Sequence, residues 1–193
     1  MDSTGKARAH GGTLRIVGGK FRSRRLRVAP RPGLRPTPDR VRETLFNWLG
    51  QTLDGCACLD LYAGSGALGF EAASRGAARV VMVETDRAAR AALERSRTAL
   101  GAREVEIVGA DADSYLARPG ARFDVVFLDP PFGQNVLPAI LARLAPRLAP
   151  GARVYVEAES VVAASAPWTE LRRGRAGRVS FQLLQWNATE GAP

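Results

Sequence analysis

The tetrapeptide Asp129-Pro130-Pro131-Phe132 carries more chemical information than any other in the chain. Two consecutive prolines fix φ twice and remove two amide donors, so the loop is stiff and presents acceptors, the Asp129 carboxylate and the Pro130 carbonyl. An exocyclic amine on a nucleobase is a poor nucleophile because its lone pair is delocalised into the ring. Two acceptors that take its N–H hydrogens return electron density to nitrogen and aim it at an electrophile. Phe132 offers a face on which the base can stack. A plain turn closed by a core phenylalanine fits the same residues. Their place after a strand, downstream of a glycine loop, favours the chemical reading.

The glycine loop points to the electrophile. It runs from Asp60 through Gly64 and Gly66 to Gly69, directly after an apolar run and at the opening of a helical stretch. Glycines there let the backbone approach a ligand, and the carboxyl end of a strand is where open α/β sheets bind ligands. Gly64, Gly66 and Gly69 also satisfy G-x-G-x-x-G, so a nicotinamide or flavin dinucleotide is a rival on this motif. Glu84, ending the next strand, suits the ribose hydroxyls of either ligand. Asp60 separates them: S-adenosylmethionine carries a cationic sulfonium and an α-amino group, for which a carboxylate at a strand end is a suitable counter-charge. Asp111, two residues past the third strand, is placed to meet an adenine amino group or to cap a helix.

Other chemistries lack their residues. Cys56 and Cys58 lie in an apolar run with the lone His10 as the one other soft ligand, so they read as core packing rather than as a metal site, and no metal is expected. No Ser/His/Asp or Cys/His set can be assembled. A carbon-5 pyrimidine methylase needs a nucleophilic cysteine, and these two stand upstream of the cofactor loop.

The elements that position these residues follow from the patterning. The chain has 193 residues with 46% hydrophobic and 24% charged, the size and composition of one ordinary globular domain. Arg143 and Arg147 interrupt its most apolar long segment, and Lys6 and Arg8 have no apolar stretch behind them. A soluble, cytoplasmic protein without membrane span or secretory signal is expected. Apolar runs at 56–62, 80–84, 105–108, 125–128 and 153–157 alternate with helical stretches at 68–75, 87–100, 113–116 and 136–148. This repetition predicts an α/β fold with a mainly parallel, doubly wound sheet. A closing antiparallel hairpin is expected from 169–173 and 179–186.

The net charge of +9 resides entirely in residues 1–50. There the basic residues alternate with Leu14, Ile16, Val17, Phe21, Leu26 and Val28, as in a strand, and Gly18-Gly19 reads as a tight hairpin turn. A basic β-arm is expected, whose arginines at 22, 24, 25, 27, 31 and 35 neutralise the phosphates of a nucleic acid. The proline-rich link 30–36 then leads to Thr37-Pro38, read as N-cap and first helical residue. Val41, Leu45, Trp48 and Leu49 form the apolar stripe of the helix that follows. Arg40 and Arg42 at its entry join the candidate RNA contacts. The chain thus divides into a leader and arm over 1–36 and a catalytic domain over 37–193.

Three segments carry a family resemblance: Arg15-Ile-Val-Gly-Gly-Lys-Phe-Arg-Ser-Arg-Arg-Leu, Leu34-Arg-Pro-Thr-Pro-Asp-Arg-Val-Arg-Glu-Thr-Leu-Phe-Asn-Trp-Leu and Cys58-Leu-Asp-Leu-Tyr-Ala-Gly-Ser-Gly-Ala-Leu-Gly. With Glu84 and the Asp129 tetrapeptide, the chain resembles the RsmD family of class I S-adenosylmethionine-dependent amino-methyltransferases over nearly its whole length. The resemblance implies a Rossmann-like sheet of seven strands and methylation of N2 of one guanine in 16S ribosomal RNA, on small ribosomal subunit particles, by a monomer. It implies that Asp60, Ala63, Gly64, Gly66, Glu84 and Asp111 bind the cofactor, leaving S-adenosylhomocysteine as product, and that Asp129, Pro130, Pro131 and Phe132 hold the guanine. Pro38 stands where the family often has a second Thr or another polar residue. A DNA adenine-N6 methyltransferase is the nearest alternative, disfavoured because 193 residues leave no room for a separate target-recognition domain. A dinucleotide enzyme and a non-catalytic RNA-binding assembly factor are alternatives from other classes.

Overall fold

Unbroken apolar runs offer no polar face to water, so they form strands only where both faces of a sheet are covered. The structure, a computed structural model, describes residues 12–28, 37–131 and 133–187. Two short strands, β1 (Thr13–Arg15) and β2 (Arg25–Arg27), pair with each other apart from the main sheet. That sheet contains β3 (Ala57–Asp60), β4 (Arg79–Val83), β5 (Val105–Val108), β6 (Phe123–Leu128), β7 (Leu148–Ala158), β8 (Trp168–Ala176) and β9 (Val179–Trp186). Its order is β5-β4-β3-β6-β7-β9-β8; the first five are parallel, and β9 and β8 close the edge antiparallel. The Rossmann-like architecture expected from the sequence is therefore present.

Helices α1 (Asp39–Trp48), α2 (Ala67–Ser74) and α3 (Arg87–Leu100) bury one face of the sheet, sharing a core with Leu14, Ile16, Phe21, Leu26 and Val28 of the arm. On the other face, α4 (Ala112–Leu116) and α5 (Leu137–Leu144) enclose a second core around Val126, Leu128 and Val154. The chain visits β4 and β5 on one side of β3, then crosses to β6 and β7 on the other. The carboxyl end of β3 and β6 is thus the switch point where open sheets bind ligands.

The structure corrects three local expectations. The helix expected over 136–148 ends at Leu144, because Pro146 has no amide to continue it; a 3₁₀ turn intervenes, and Leu148 opens an eleven-residue β7. Gly18-Gly19 is not a two-residue turn. The Ile16 amide donates to the Arg24 carbonyl at 3.0 Å and the Ser23 amide to the Ile16 carbonyl at 2.8 Å, so a longer connection folds back on itself. Gly19, at φ +72°, lets that connection press against the Ser74 carbonyl, where a Cβ would collide. Thirdly, Pro38 rather than Thr37 is the N-cap of α1, with no side-chain cap bond.

The arm is fastened by a buried ionic latch. Glu71 of α2 has no exposed surface and accepts from the Val17 and Gly18 amides at 2.9 and 2.8 Å, from Arg42 Nη1 at 3.1 Å and from Arg75 Nε at 2.9 Å. Arg42, equally buried, also donates to the Thr37 and Arg15 carbonyls and pairs with Asp39. Arm, α1 and α2 therefore meet on one charge pair. Glu71→Ala would take from Arg42 its one fully buried counter-charge and from the Val17 and Gly18 amides their acceptor, and is expected to cost about 3–5 kcal/mol of unfolding free energy in urea titrations. A loss below about 1 kcal/mol would show that the latch contributes little.

Candidate active site

Alternation along a strand decides which residues reach the switch point, and four of the strands there end in an acid. Glu84 follows β4, Asp60 closes β3, Asp129 follows β6 and Glu157 lies near the end of β7, in the spatial order of the sheet. Asp60, Glu84 and Glu157 are buried, and Asp129 is partly exposed. Among the described residues, Asp60, Asp129 and Glu157 make no ion pair.

Asp60 Oδ2 accepts from the Gly69 amide at 3.0 Å, which ties the end of β3 to the first turn of α2. Burial, reinforced by the charge of Glu84, raises its carboxyl to about 7, against the hydrogen bonds from the Gly69 and Tyr62 amides. Glu84 accepts from the Gly64 amide at 2.9 Å with one oxygen and from the Asp86 amide at 2.8 Å with the other. The glycine turn is thereby folded over two carboxyls. Ala63 is buried in it, its amide bonded to the Val83 carbonyl at 3.0 Å and its carbonyl accepting from Gly66 at 2.7 Å. Gly66 is the N-cap of α2 in the left-handed region, and a Cβ there would stand 2.6 Å from the Phe70 ring and 2.7 Å from Leu93.

Asp111 is exposed and acts as the N-cap of α4, its two oxygens accepting from the Ser114 amide at 2.7 Å and hydroxyl at 2.8 Å; these bonds lower its carboxyl below the ordinary range. The capping alternative is thus realised, with lone pairs left for a ligand amine. The set as a whole fits a cationic adenosyl ligand: backbone able to approach closely, carboxyls beside it, and an acidic side chain at the rim.

Asp129 stands one strand from Asp60, since Asp60 pairs with Phe127 across β3 and β6. Burial, Glu157 and Asp60 all push its carboxyl well above the ordinary range, and the Thr37 hydroxyl opposes them. Pro130 is buried and Pro131 exposed; Phe132 lies outside the described residues. Sequence reasoning missed Glu157 and Tyr155, whose hydroxyl donates to Glu157 Oε1 at 2.7 Å. A glutamate at the carboxyl end of an apolar strand, in the position that made Asp60 notable, was the available signal.

The candidate RNA contacts divide. Arg22, Arg25 and Arg40 are exposed, whereas Arg24 donates to the Ala99 carbonyl at the end of α3 at 2.9 Å. Arg35 lies outside the described residues. Arg42 is corrected: with no exposed surface and its donors spent on Glu71, Asp39 and two carbonyls, it is a latch residue and does not meet phosphate. Among the described residues no cluster of His, Cys, Asp and Glu could hold a metal. Gly66→Ala is expected to cost about 1–3 kcal/mol in urea titrations, from the φ of +79° and the crowded Cβ. Unchanged stability would mean that the turn tolerates a side chain.

A family described as Conserved hypothetical protein 95 matches residues 14–185. The Ribosomal RNA small subunit methyltransferase D of Escherichia coli strain K12 is 43% identical over 182 residues, spanning 92% of both chains. Its counterpart in Haemophilus influenzae is 41% identical, over 90% of this chain and 94% of that protein. The solved structure of yhhF from Escherichia coli superposes with a TM-score of 0.84 at 44% identity, covering 92% of this chain and all (100%) of that one. With extensive identity to proteins of that name and the same architecture, the chain belongs to the RsmD family of ribosomal RNA small subunit methyltransferases.

Proposed function

We propose that the chain transfers a methyl group from S-adenosylmethionine to the exocyclic N2 of a guanine in 16S ribosomal RNA, within small-subunit particles and as a monomer. The observation that carries this reading is the juxtaposition of the Asp129-Pro-Pro loop with Asp60 at neighbouring strand ends of the switch point. S-adenosylmethionine, when bound, supplies a methyl group on a cationic sulfur.

The chain's own residues do the rest. Asp60 and Glu84 hold the cofactor's cationic and hydroxyl groups, and the turn 61–66 approaches it through backbone. The Asp129 carboxylate and Pro130 carbonyl accept the two N2 hydrogens, which raises the nucleophilicity of the nitrogen and orients its lone pair. The prolines keep these acceptors from relaxing, so little reorganisation accompanies the reaction. Phe132 stacks on the base. An activated cationic donor lessens the need for a strong general base, and the proton leaves the methylated amine afterwards.

The arm provides reach. Its turn packs on Ser74 and Ala99, the final turns of α2 and α3, whereas both helices begin at the reactive edge. The eight residues of α2 span about 12 Å, so about that length of helix separates the arm's contact with Ser74 from the reactive edge. RNA held there extends past the target base, which suits a folded substrate larger than one nucleotide.

A labelled-methyl assay on immature small subunits tests the reading: label on guanine N2 supports it, label on adenine favours the adenine-N6 alternative, and no transfer favours a binding role. Asp129→Ala is expected to retain cofactor binding and lose about 100-fold or more in kcat; unchanged turnover would refute the amine-holding role. Replacing Arg22, Arg25 and Arg40 by Glu should weaken RNA binding and flatten its log–log salt dependence by about 0.7 per lost single-strand contact. An unchanged slope would remove the arm and α1 from the RNA interface.

A further inference from the structure

A second basic surface lies at the reactive edge itself. Residues 51–193 are neutral overall, yet the stretch 168–186, which forms β8, its turn and β9, carries Arg172, Arg173, Arg175 and Arg178 against Glu170 alone. All four arginines are exposed. Because β9 runs antiparallel to β7, with Ser180 opposite Ala158, the turn at Gly177-Arg178 projects from the carboxyl end of the sheet. Val156 pairs with Leu128, which sets Glu157 level with Asp129. Phe181 pairs with Glu157 and Gly174 with Phe181, so Gly174 stands three strand spacings from Asp129, about 14 Å.

Between this hairpin and the segment that follows β7 is an open cleft of about 540 Å³, lined by Glu159, Ser160 and Val161 on one wall and by Arg173, Gly174 and Arg175 on the other. The walls are tied together. Gln182 of β9, 1% exposed, accepts from the Val162 amide at 2.7 Å and donates to the Val162 carbonyl at 3.0 Å; its second amide hydrogen goes to Glu170. Glu170 in turn receives Arg173 Nε at 3.1 Å and Nη2 at 2.8 Å, which fixes that guanidinium and leaves Nη1 over. Arg175 spends Nε on the Gly177 carbonyl at 3.0 Å and keeps its two terminal nitrogens. Val161, 43% exposed, is the one large apolar side chain left so open among the described residues.

Arginines on an edge strand discourage pairing with another sheet, whatever else they do. That role asks for no cleft, no apolar platform and no buried glutamine joining two walls. Oriented guanidiniums suit phosphate, and Val161 offers a surface to the face of a base. The Glu159 carboxylate repels phosphate but can accept from a base amine. The combination matches a nucleotide rather than a bare anion. Resting on the methyl-transfer reading, we propose that this cleft holds a nucleotide of the ribosomal RNA flanking the target base, with Arg173, Arg175 and Arg178 on its backbone phosphates. Arg173 and Arg175 pair with Gln182 and Ser180, which alternate with Phe181 and Leu183 of the core shared with the arm. The cleft therefore opens on the face of the sheet opposite the arm, and the two basic surfaces hold the substrate from both sides of the reactive edge.

The test compares Arg175→Glu/Arg178→Glu with Arg118→Glu/Arg122→Glu, an equal change of charge at exposed arginines just before β6, at the far end of the sheet. The readouts are KM for immature small-subunit particles and the salt dependence of binding to them. The hairpin variant should raise KM about tenfold or more, with the loss on KM rather than kcat, and flatten the log–log salt slope by about 0.7 per lost single-strand contact. The control pair should stay within about twofold of the intact protein. An unchanged hairpin variant, or two variants weakened alike, would overturn the proposal while methyl transfer by the intact protein still stood. Failure of the intact protein to methylate the particles would instead defeat the functional reading, and is told apart because binding is read without turnover. A photo-cross-linker identifies the occupant: p-benzoylphenylalanine in place of Val161 should attach to 16S ribosomal RNA in the particles. Attachment to ribosomal protein alone, or to nothing, would contradict the assignment.

Discussion

Carboxyl groups crowded into a dry setting resist ionising, and burial raises those of Asp60, Asp129 and Glu157, which the sheet brings to the ends of three adjacent strands. The crowding is costly to the free protein. Asp60, with its carboxyl raised to about 7, is protonated more readily in the folded than in the unfolded chain. Its contribution to stability is therefore full below the ordinary carboxylate range near pH 4 and is lost as pH rises through 7. A cationic ligand at the same edge reverses that penalty, because the ionised form then gains a partner. Electrostatic strain in the free site becomes selectivity for a positively charged donor.

The rest of the fold serves that edge. Apolar strands covered on both faces hold the carboxyls at a fixed spacing, and backbone amides of the glycine turn and of α2 bond to Glu84 and Asp60. Arg42 and Arg75 are consumed by Glu71 in fastening the arm, while Arg22, Arg25 and Arg40 remain outside. Burial removes Arg42 from the surface and a bond to the Ala99 carbonyl occupies Arg24, whereas Arg22, Arg25 and Arg40 stay exposed.

Much of this was legible in the sequence, for physical reasons. Continuous apolar runs mark strands covered on both sides, and glycines after the first of them mark the switch point; α3 and β5 have the very boundaries the periodicity implies. What escaped depends on distance in space. Nothing local marks Arg42 as buried, because its partner Glu71 is 29 residues away. Thr37 followed by proline reads as a cap, yet the helix starts one residue later, with Pro38 at its N-cap and no side chain capping it. The Gly18-Gly19 turn failed similarly: a tertiary contact with Ser74, not hairpin geometry, sets the conformation of Gly19.

Proton counting by calorimetry is the most direct probe of the electrostatic account. Binding of S-adenosylmethionine near pH 7, measured in buffers of different ionisation enthalpy, should release protons as Asp60 is driven to its ionised form. Asp60→Asn should abolish most of that release. Proton uptake, or binding with no proton exchanged, would contradict the claim that crowded carboxyls at the sheet edge are what the cationic donor satisfies.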